Sequence, residues 1–403
     1  MDVTRTIKLK LEIPATVAQE FIDAFTAACN FASQVAFTTP RARNFVGLNR
    51  VVYTNIRSEF KLSAQIAQSV SRMVSGKYGA IKTAKKKTSK PVQFNNEPVL
   101  LQGGDRQRDF GFSKDGRISI STLQGRLKNV QHGFHPHLEN YRTNWNLGGA
   151  YLMVRKNQVF LLVSFSKEVQ EKTGLNNSVV GVDRGQINIA AVTDGTRDML
   201  IGGRELLEKR QKYQDVKASI QKRKAQRSTS SLRKLLKRLS GRESRFAKDV
   251  DHVVSKQIVK FAVETGSPVI AMEELSGIRN TQHKSFAMKK RTNRWSFFRL
   301  EMFVKYKAEQ EGLSIIKVDA KYTSQACSKC GHTERANRSG ESFVCKACGL
   351  VDHSDLNGAR NIRLRGILAR QVGGGAVSHP EVAALNQSSD LPGDKLRFSN
   401  RSI

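Results

Sequence analysis

The spacing of four cysteines constrains this chain more than any other feature. Cys327, Cys330, Cys345 and Cys348 form the pattern C-x2-C-x14-C-x2-C. Each Cys-x-x-Cys pair grips an ion from one side, so the intervening loop must fold back as a hairpin. Four thiolates suit a borderline-soft d¹⁰ ion in a closed tetrahedron, which predicts one structural Zn²⁺ and leaves no open position for catalysis. Gly331 and Gly349 each follow a pair, where the backbone must turn tightly. With four thiolates in place, the flanking His332 and His353 are expected to meet solvent or phosphate. Cys29 stands alone on a helical pattern and is expected to be buried packing. Two acids, Asp352 and Asp355, follow the second pair directly, and then a helical pattern begins. A metal knuckle wired onto two carboxylates raises the question of which other acids could join them.

Two other acids close apolar strand patterns. Asp183 ends "VVGVD", and Glu273 ends "VIAME". From residue 179 onward the elements read strand, strand, strand, helix, strand, helix, strand, insert, helix, which is an α/β order. Three acids meeting at one edge of a mixed sheet would hold two Mg²⁺ ions, hard cations that take oxygen ligands and keep positions for water and phosphate. Such a pair, about 4 Å apart, can activate water and stabilise the leaving oxygen of a phosphodiester. Singly, each acid has a plainer reading. Asp183 before Arg184 suits a turn, one of Glu273 and Glu274 suits surface charge, and Asp355 suits a helix N-terminus.

The charge balance selects the partner. Lys and Arg number 68 against 35 Asp and Glu, a formal net charge of +33. That surplus favours a polyanion, with nucleic acid ahead of an anionic membrane, since no basic amphipathic helix carries Trp on its apolar face. No run of about 18 apolar residues suggests a membrane span. The N-terminus lacks a secretory core, so a cytoplasmic, disulfide-free protein is expected. Sixteen Lys and Arg against four Asp and Glu crowd residues 204–248.

Upstream, "TRTIKLKLEI" alternates as a strand. Val17, Phe21, Phe25, Ala28 and Phe31 recur at helical spacing, a second helix is expected over 49–60, and Ile66, Val70, Met73, Val74 and Ile81 mark a third. Residues 91–170 change to hairpins turning at Asp115-Gly116 and Lys156-Asn157, which predicts a small β-barrel that the first strand completes across the helical insertion. The Gly-, Pro- and Ser-punctuated stretch 373–403 reads as a disordered tail.

In this setting "VGVDRG", "IAMEEL", the cysteine ribbon and "DHSDLNGARNI" resemble the split RuvC-like nuclease of TnpB proteins, the OrfB-type proteins of insertion sequences, which are related to type V CRISPR effectors. "GRESRFAKDVDHVVSKQIV" is similar to the basic segment of that family. The resemblance covers roughly residues 1–363 and is most specific over 179–363. It implies a multidomain α+β chain. A β-barrel wedge domain (1–13 and 91–172) would carry a helical recognition domain (14–90). A RuvC-like, RNase H-like α/β nuclease domain (178–322 and 352–372) would carry a zinc ribbon (323–351), with the tail at 373–403.

The resemblance also implies an activity: an RNA-guided DNA endonuclease of a transposable element, Mg²⁺-dependent, acting as a monomer on double-stranded DNA beside a short motif. A guide RNA from the transposon end would supply the sequence choice. Asp183, Glu273 and Asp355 are the implied catalytic, magnesium-binding acids. Glu273 is preferred to Glu274 for standing two before Leu275, and Asp355 to Asp352 for preceding "LNGARNI". Asp352 becomes a supporting residue. Gly358, where alanine is common, and Asp251, often asparagine, are small departures. The helical insertion is expected to read the adjacent motif through Tyr53, Gln65, Gln68 and Lys77. Lys329, Lys346 and Arg335 are expected at phosphates of a strand led to the acids, and 204–248 with "AKKKTSK" to track a folded RNA. The alternatives are a compact type V CRISPR effector, a guide-dependent repressor that binds without cutting, and a transposase using the same acids for transesterification.

Overall fold

The structure, a computed structural model, describes residues 1–85, 88–104, 107–185, 187–226, 230–275 and 297–371. The expected tail, Lys86 and Lys87 of the basic run lie outside these residues. The described chain divides into two compact units, one spanning Asp2–Glu168 and the other beginning at Val169.

The first unit opens with β1 (Asp2–Leu11), whose inward residues Val3, Ile7, Leu9 and Leu11 are buried at every second position. Three helices follow: α1 (Ala15–Thr38), α2 (Phe45–Glu59) and α3 (Ala64–Thr83). The second begins four residues before the expected 49, because the Asn44 side chain accepts the Gly47 N–H at 2.8 Å and caps it there. Cys29 is fully buried on α1, as the helical pattern requires.

The strands β2 (Val99–Leu101), β3 (Phe110–Phe112), β4 (Ile118–Thr122) and β5 (Gly125–Val130), the short helix α4 (Leu138–Asn144), and the hairpin β6 (Asn146–Arg155) and β7 (Gln158–Glu168) complete this unit. They form a four-stranded sheet in the order β1-β7-β6-β2 and a three-stranded sheet β3-β4-β5. The β6–β7 turn falls at Lys156 and Asn157, with φ of 52° and 58°, the left-handed pair of a type I′ turn. The sheets are joined along two seams. Gly133 N–H donates to Lys10 O (2.8 Å) and Glu12 N–H to Gln131 O (2.9 Å) on one side. On the other, Asp109 N–H donates to Gln102 O (2.9 Å) and the Asp109 carboxylate accepts Gln102 N–H (2.8 Å). One apolar core, including Phe21, Phe25, Leu101, Phe110, Leu152 and Phe165, fills the space between helices and strands.

The second unit is built on a five-stranded sheet. Its strands are β8 (Val179–Asp183), β9 (Asn188–Thr193) and β10 (Asp198–Gly202), then, after α5 (Arg204–Gln226), α6 (Ser230–Leu239) and α7 (Arg242–Glu264), β11 (Val269–Glu273). Helix α8 (Phe297–Gln310) precedes β12 (Ser314–Val318). The order is β10-β9-β8-β11-β12, antiparallel across the first three strands and parallel across the last three. The central strands are buried on both faces and read as unbroken apolar runs for that reason. Val180, Val182, Ile270 and Met272 face Ile258 of α7 and Leu300 and Val304 of α8.

After β12 come the short strands β13 (Arg338–Ser339), β14 (Ser342–Val344) and β15 (Val351–His353), which form an antiparallel ribbon, and then α9 (Ser354–Gln371). This last helix covers the opposite face of the sheet, packing Ile362 and Ile367 against Val179, Ala271 and Val318. Gly181 and Gly366 let it lie close. A Cβ at 181 would stand 2.1 Å from Ala359 O, and one at 366 would stand 2.6 Å from the Ala271 Cβ. Among the described residues no helix is long and apolar enough to cross a membrane.

Candidate active site and metal knuckle

The parallel strands β8 and β11 end together. Their pairing runs from Val179↔Val269 to Val182↔Met272, so Asp183 and Glu273 stand just past the last rung, at one edge of the sheet. The ends of neighbouring parallel strands in an open α/β sheet are where ligands characteristically bind. Asp355 comes to this edge from another direction, in the first turn of α9. Gly358, one turn further on, explains how close the helix comes: a Cβ there would lie 2.7 Å from Asp183 Oδ2. The departure from alanine noted in the sequence is therefore matched to the position of this carboxylate.

The electrostatics are those of a buried acid cluster with arginines beside it. Burial, then Glu273 and then Asp355 push the Asp183 carboxyl well above the usual carboxylate range, against the pull of Arg338 and Arg184. Glu273 is also raised, chiefly by burial, while its bond from the Thr323 hydroxyl and the nearby Arg184 and Arg365 work the other way. Asp355 accepts hydrogen bonds from Asn188 Nδ2 (2.9 Å) and from Arg338 of β13 (2.9 Å). Carboxylate oxygens are hard donors and fit divalent cations such as Mg²⁺. Glu274 points elsewhere and pairs with Lys317 at 3.0 Å. Asp352 is bound by Arg360, which also holds Asp198.

Beside Asp355 lies a cleft of about 500 Å³, lined among others by Gly185, Ser324, Gln325, Arg335 and Arg338. Of the three cations expected at phosphates, Arg335 lines this cleft, while Lys329 and Lys346 are exposed on the knuckles.

The cysteines form a different kind of site. Their four sulfurs lie within 4.8 Å of one another, and among the described residues theirs is the one group of three or more ligating side chains so gathered. Both knuckles have the same backbone form. Gly331 N–H donates to Cys327 O (2.9 Å) and Gly349 N–H to Cys345 O (3.0 Å), with φ of 77° and 73° at the two glycines. Burial raises the Cys345 thiol, but the N–H groups of Cys348 and Ala347 and its sulfur neighbours outweigh this and bring it down to about 6. Burial prevails at Cys327 and Cys330, whose thiols are raised. The donor set fits Zn²⁺. Neither flanking histidine joins it: His332 pairs with Glu334 at 3.2 Å, and His353 Nδ1 accepts the Asp355 N–H at 3.1 Å. Through Nδ1, His353 therefore caps the first turn of α9.

The first knuckle is bolted to α9 by two buried asparagines one turn apart. Asn357 accepts Ser328 N–H (2.9 Å) and donates to Ala326 O (2.8 Å), and Asn361 donates to Thr323 O (2.9 Å) and Ala326 O (2.7 Å). This is the physical reason for wiring a metal knuckle onto an acid: whatever fixes the ribbon fixes the first turn of α9, and with it Asp355. Sequence reading did not assign roles to Asn357, Asn361, Arg338, Asn188 or Arg184. The available signal was two asparagines spaced i, i+4 in a helix whose neighbouring positions include Gly358, Ala359 and Ile362.

The four polar residues of the helical insertion occupy the first unit and differ in exposure. Lys77 is open to solvent, while Tyr53, Gln65 and Gln68 are half-buried. Tyr53 packs on the apolar core, and Gln65 accepts a bond from Arg108 at 3.1 Å.

Fold and site together describe a mixed-sheet α/β unit with three acids at one edge and a four-cysteine ribbon spliced in before the last helix. Residues 162–279 match the family described as "Probable transposase" of OrfB type, and residues 297–362 match the Cas12f1-like TNB domain. The resemblance to TnpB proteins and their CRISPR relatives therefore holds. The chain is 30% identical to a CRISPR-associated endodeoxyribonuclease Cas12f1 of Sulfoacidibacillus thermotolerans, over 53% of this chain and 51% of that one. It is 26% identical to a TnpB-like protein of Methanocaldococcus jannaschii, over 63% of this chain and 91% of that one. It spans about half, or less, of the length of the first curated relatives it matches. A cryo-EM structure of a Cas12f1-sgRNA-target DNA complex shares the fold, with a TM-score of 0.63 at 14% identity, covering 90% of this chain and 99% of the other.

Proposed function

We propose that this chain is an RNA-guided DNA endonuclease whose acid edge is a RuvC-like site. The observation that carries this is the convergence of Asp183, Glu273 and Asp355 at one sheet edge, in a chain similar to TnpB-like proteins and to relatives named endodeoxyribonucleases. The three carboxylates would hold two Mg²⁺ ions, which supply water activation and charge neutralisation at a scissile phosphate. Arg338 and Arg335 face the adjoining cleft and would orient the phosphates of the entering strand. The ribbon, on one Zn²⁺, would hold Arg338 and Asp355 in register. The joined sheets of the first unit support the reading of a β-barrel wedge domain with a helical recognition insertion, in which Tyr53, Gln65, Gln68 and Lys77 would meet the target-adjacent motif. The basic helices α5 to α7 would track a guide RNA, which supplies the sequence choice on double-stranded DNA.

Single Asp183→Ala, Glu273→Ala and Asp355→Ala variants should lose Mg²⁺-dependent cutting and keep RNA binding, while Glu274→Ala should be mild. Near-normal cutting by any one of the first three would remove that residue from the site. A compact type V CRISPR effector is a second reading, favoured by the TNB match. The genes beside this one distinguish it from a transposon protein.

A further inference from the structure

Asp183 and Glu273 have no hydrogen-bonded rung between them. Asp183 pairs outward with Ala191 of β9, and Glu273 pairs outward with Val318 of β12. The gap is crossed by one side chain. Arg184, whose side chain has 0% exposure, turns back under the sheet edge and donates to the backbone carbonyl of Glu273. The same guanidinium donates to Phe297 O (3.1 Å) at the start of α8 and to Glu301 Oε2 (2.9 Å). The other oxygen of Glu301 holds Lys317 at 2.7 Å, and Lys317 holds Glu274 at 3.0 Å. A chain of alternating charge thus runs beneath the acids, from the residue after Asp183 to the residue after Glu273.

We infer that Arg184 is a positioning residue: it ties the ends of β8 and β11 together and sets the spacing of Asp183 and Glu273 for divalent cations. Burying a guanidinium is costly, and its replacement together with its acidic partner by apolar groups is often neutral or stabilising. Stability alone therefore does not account for an arginine here. A planar fork with several fixed donors can reach two carbonyls and a carboxylate at once, which lysine cannot do. In this arrangement Glu274 is the far anchor of the tie, through Lys317, and not a metal ligand. The inference rests on the proposed acid site.

The test uses the full-length, zinc-loaded protein with Mn²⁺ as the probe, bound ion being read by electron paramagnetic resonance. Asp183→Asn is the control for the site itself. If it binds Mn²⁺ as the wild type does, the acid-site reading fails, whatever Arg184 does. With that control passed, the double variant Arg184→Met, Glu301→Leu should melt somewhat lower, since Glu273 O and Phe297 O lose a donor, and, well below its own melting temperature, should bind Mn²⁺ about 10- to 100-fold more weakly, the usual range for partners that orient metal ligands. The Mg²⁺ requirement for cutting should rise in parallel. Arg184→Lys keeps the charge and loses the fork, and should fall between the two. Wild-type Mn²⁺ affinity in the double variant would overturn the inference. Should that variant not fold, wild-type affinity in Arg184→Lys would overturn it equally.

Discussion

The close seating of α9 on the sheet can be tested with one methyl group. Gly181→Ala places a Cβ 2.1 Å from Ala359 O and 2.7 Å from both Arg363 N and the Arg363 Cβ. Two of these three atoms are backbone of α9, so no rotamer change relieves the overlap. An ordinary contact needs roughly 1 Å more, and the helix must retreat by about that amount where it crosses β8. Overpacking typically costs about 1–3 kcal/mol, and a backbone-to-backbone clash belongs at the upper end, about 3 kcal/mol. For a unit of this size that corresponds to a fall in Tm of roughly 6–12 °C. The retreat also carries the first turn of the helix, and hence Asp355, away from Asp183. Scanning calorimetry of the full chain is the assay. Gly76→Ala is the matched control: it lies on α3, a Cβ there meets nothing within 4 Å, and better helix propensity should make it neutral or slightly stabilising. A Gly181→Ala protein that melts within about 2 °C of wild type, on the same scale, would refute the packing argument.

Three further outcomes follow from the same physics. Cys345→Ser should yield protein with less than one zinc by elemental analysis, a ribbon readily cut by protease, and weaker cleavage through a displaced Asp355; a wild-type protein purified without chelator that holds no zinc would contradict the metal assignment. Asn361→Ala should cost about 1–3 kcal/mol, since the buried carbonyls of Thr323 and Ala326 lose a donor, and the loss should show as faster amide exchange in the first knuckle. Asp109 should make the first unit pH-sensitive. Burial raises its carboxyl above the ordinary value, against its bond from Gln102 and the nearby Arg126 and Arg108. The folded state therefore holds its proton more tightly, and stability falls as pH rises from the unfolded carboxylate range through the folded value. Asp109→Asn keeps an acceptor for Gln102 and removes the charge, so it should raise the melting temperature at neutral pH, with the advantage fading toward pH 4; equal gains at both pH values would exclude the charge as the cause.

Much of this molecule can be read from the chain because local rules and global packing agree. The cysteine spacing, with a glycine after each pair, gives the knuckles and their hairpin without reference to anything distant. The buried runs ending in Asp183 and Glu273 mark strand ends because parallel strands covered on both faces are apolar throughout. The type I′ turn at Lys156-Asn157 follows from the alternation on either side. What escapes the sequence is set by contacts across long separations. Arg184 reads as a surface turn residue until its partners 89 and 117 positions away come beside it. Arg338 looks like any other cation in a basic chain until the ribbon carries it to Asp355. Nothing beside His353 in the sequence marks it as the acceptor for the Asp355 N–H. Strands as short as β2 and β3, of three residues each, carry too few positions for alternation to show.

The central claim is that the acid edge cuts DNA at sites chosen by a bound RNA. The most direct measurement is to sequence the RNA that copurifies with the protein, reconstitute the ribonuclease-treated protein with that RNA, and supply a plasmid library bearing the complementary target beside randomised flanks, with Mg²⁺. The account predicts cleavage only of matched plasmids with a common flanking motif, only with the RNA present, and none with Asp183→Ala. Efficient site-specific cutting by the RNA-free protein, or by the Asp183→Ala complex, would contradict it.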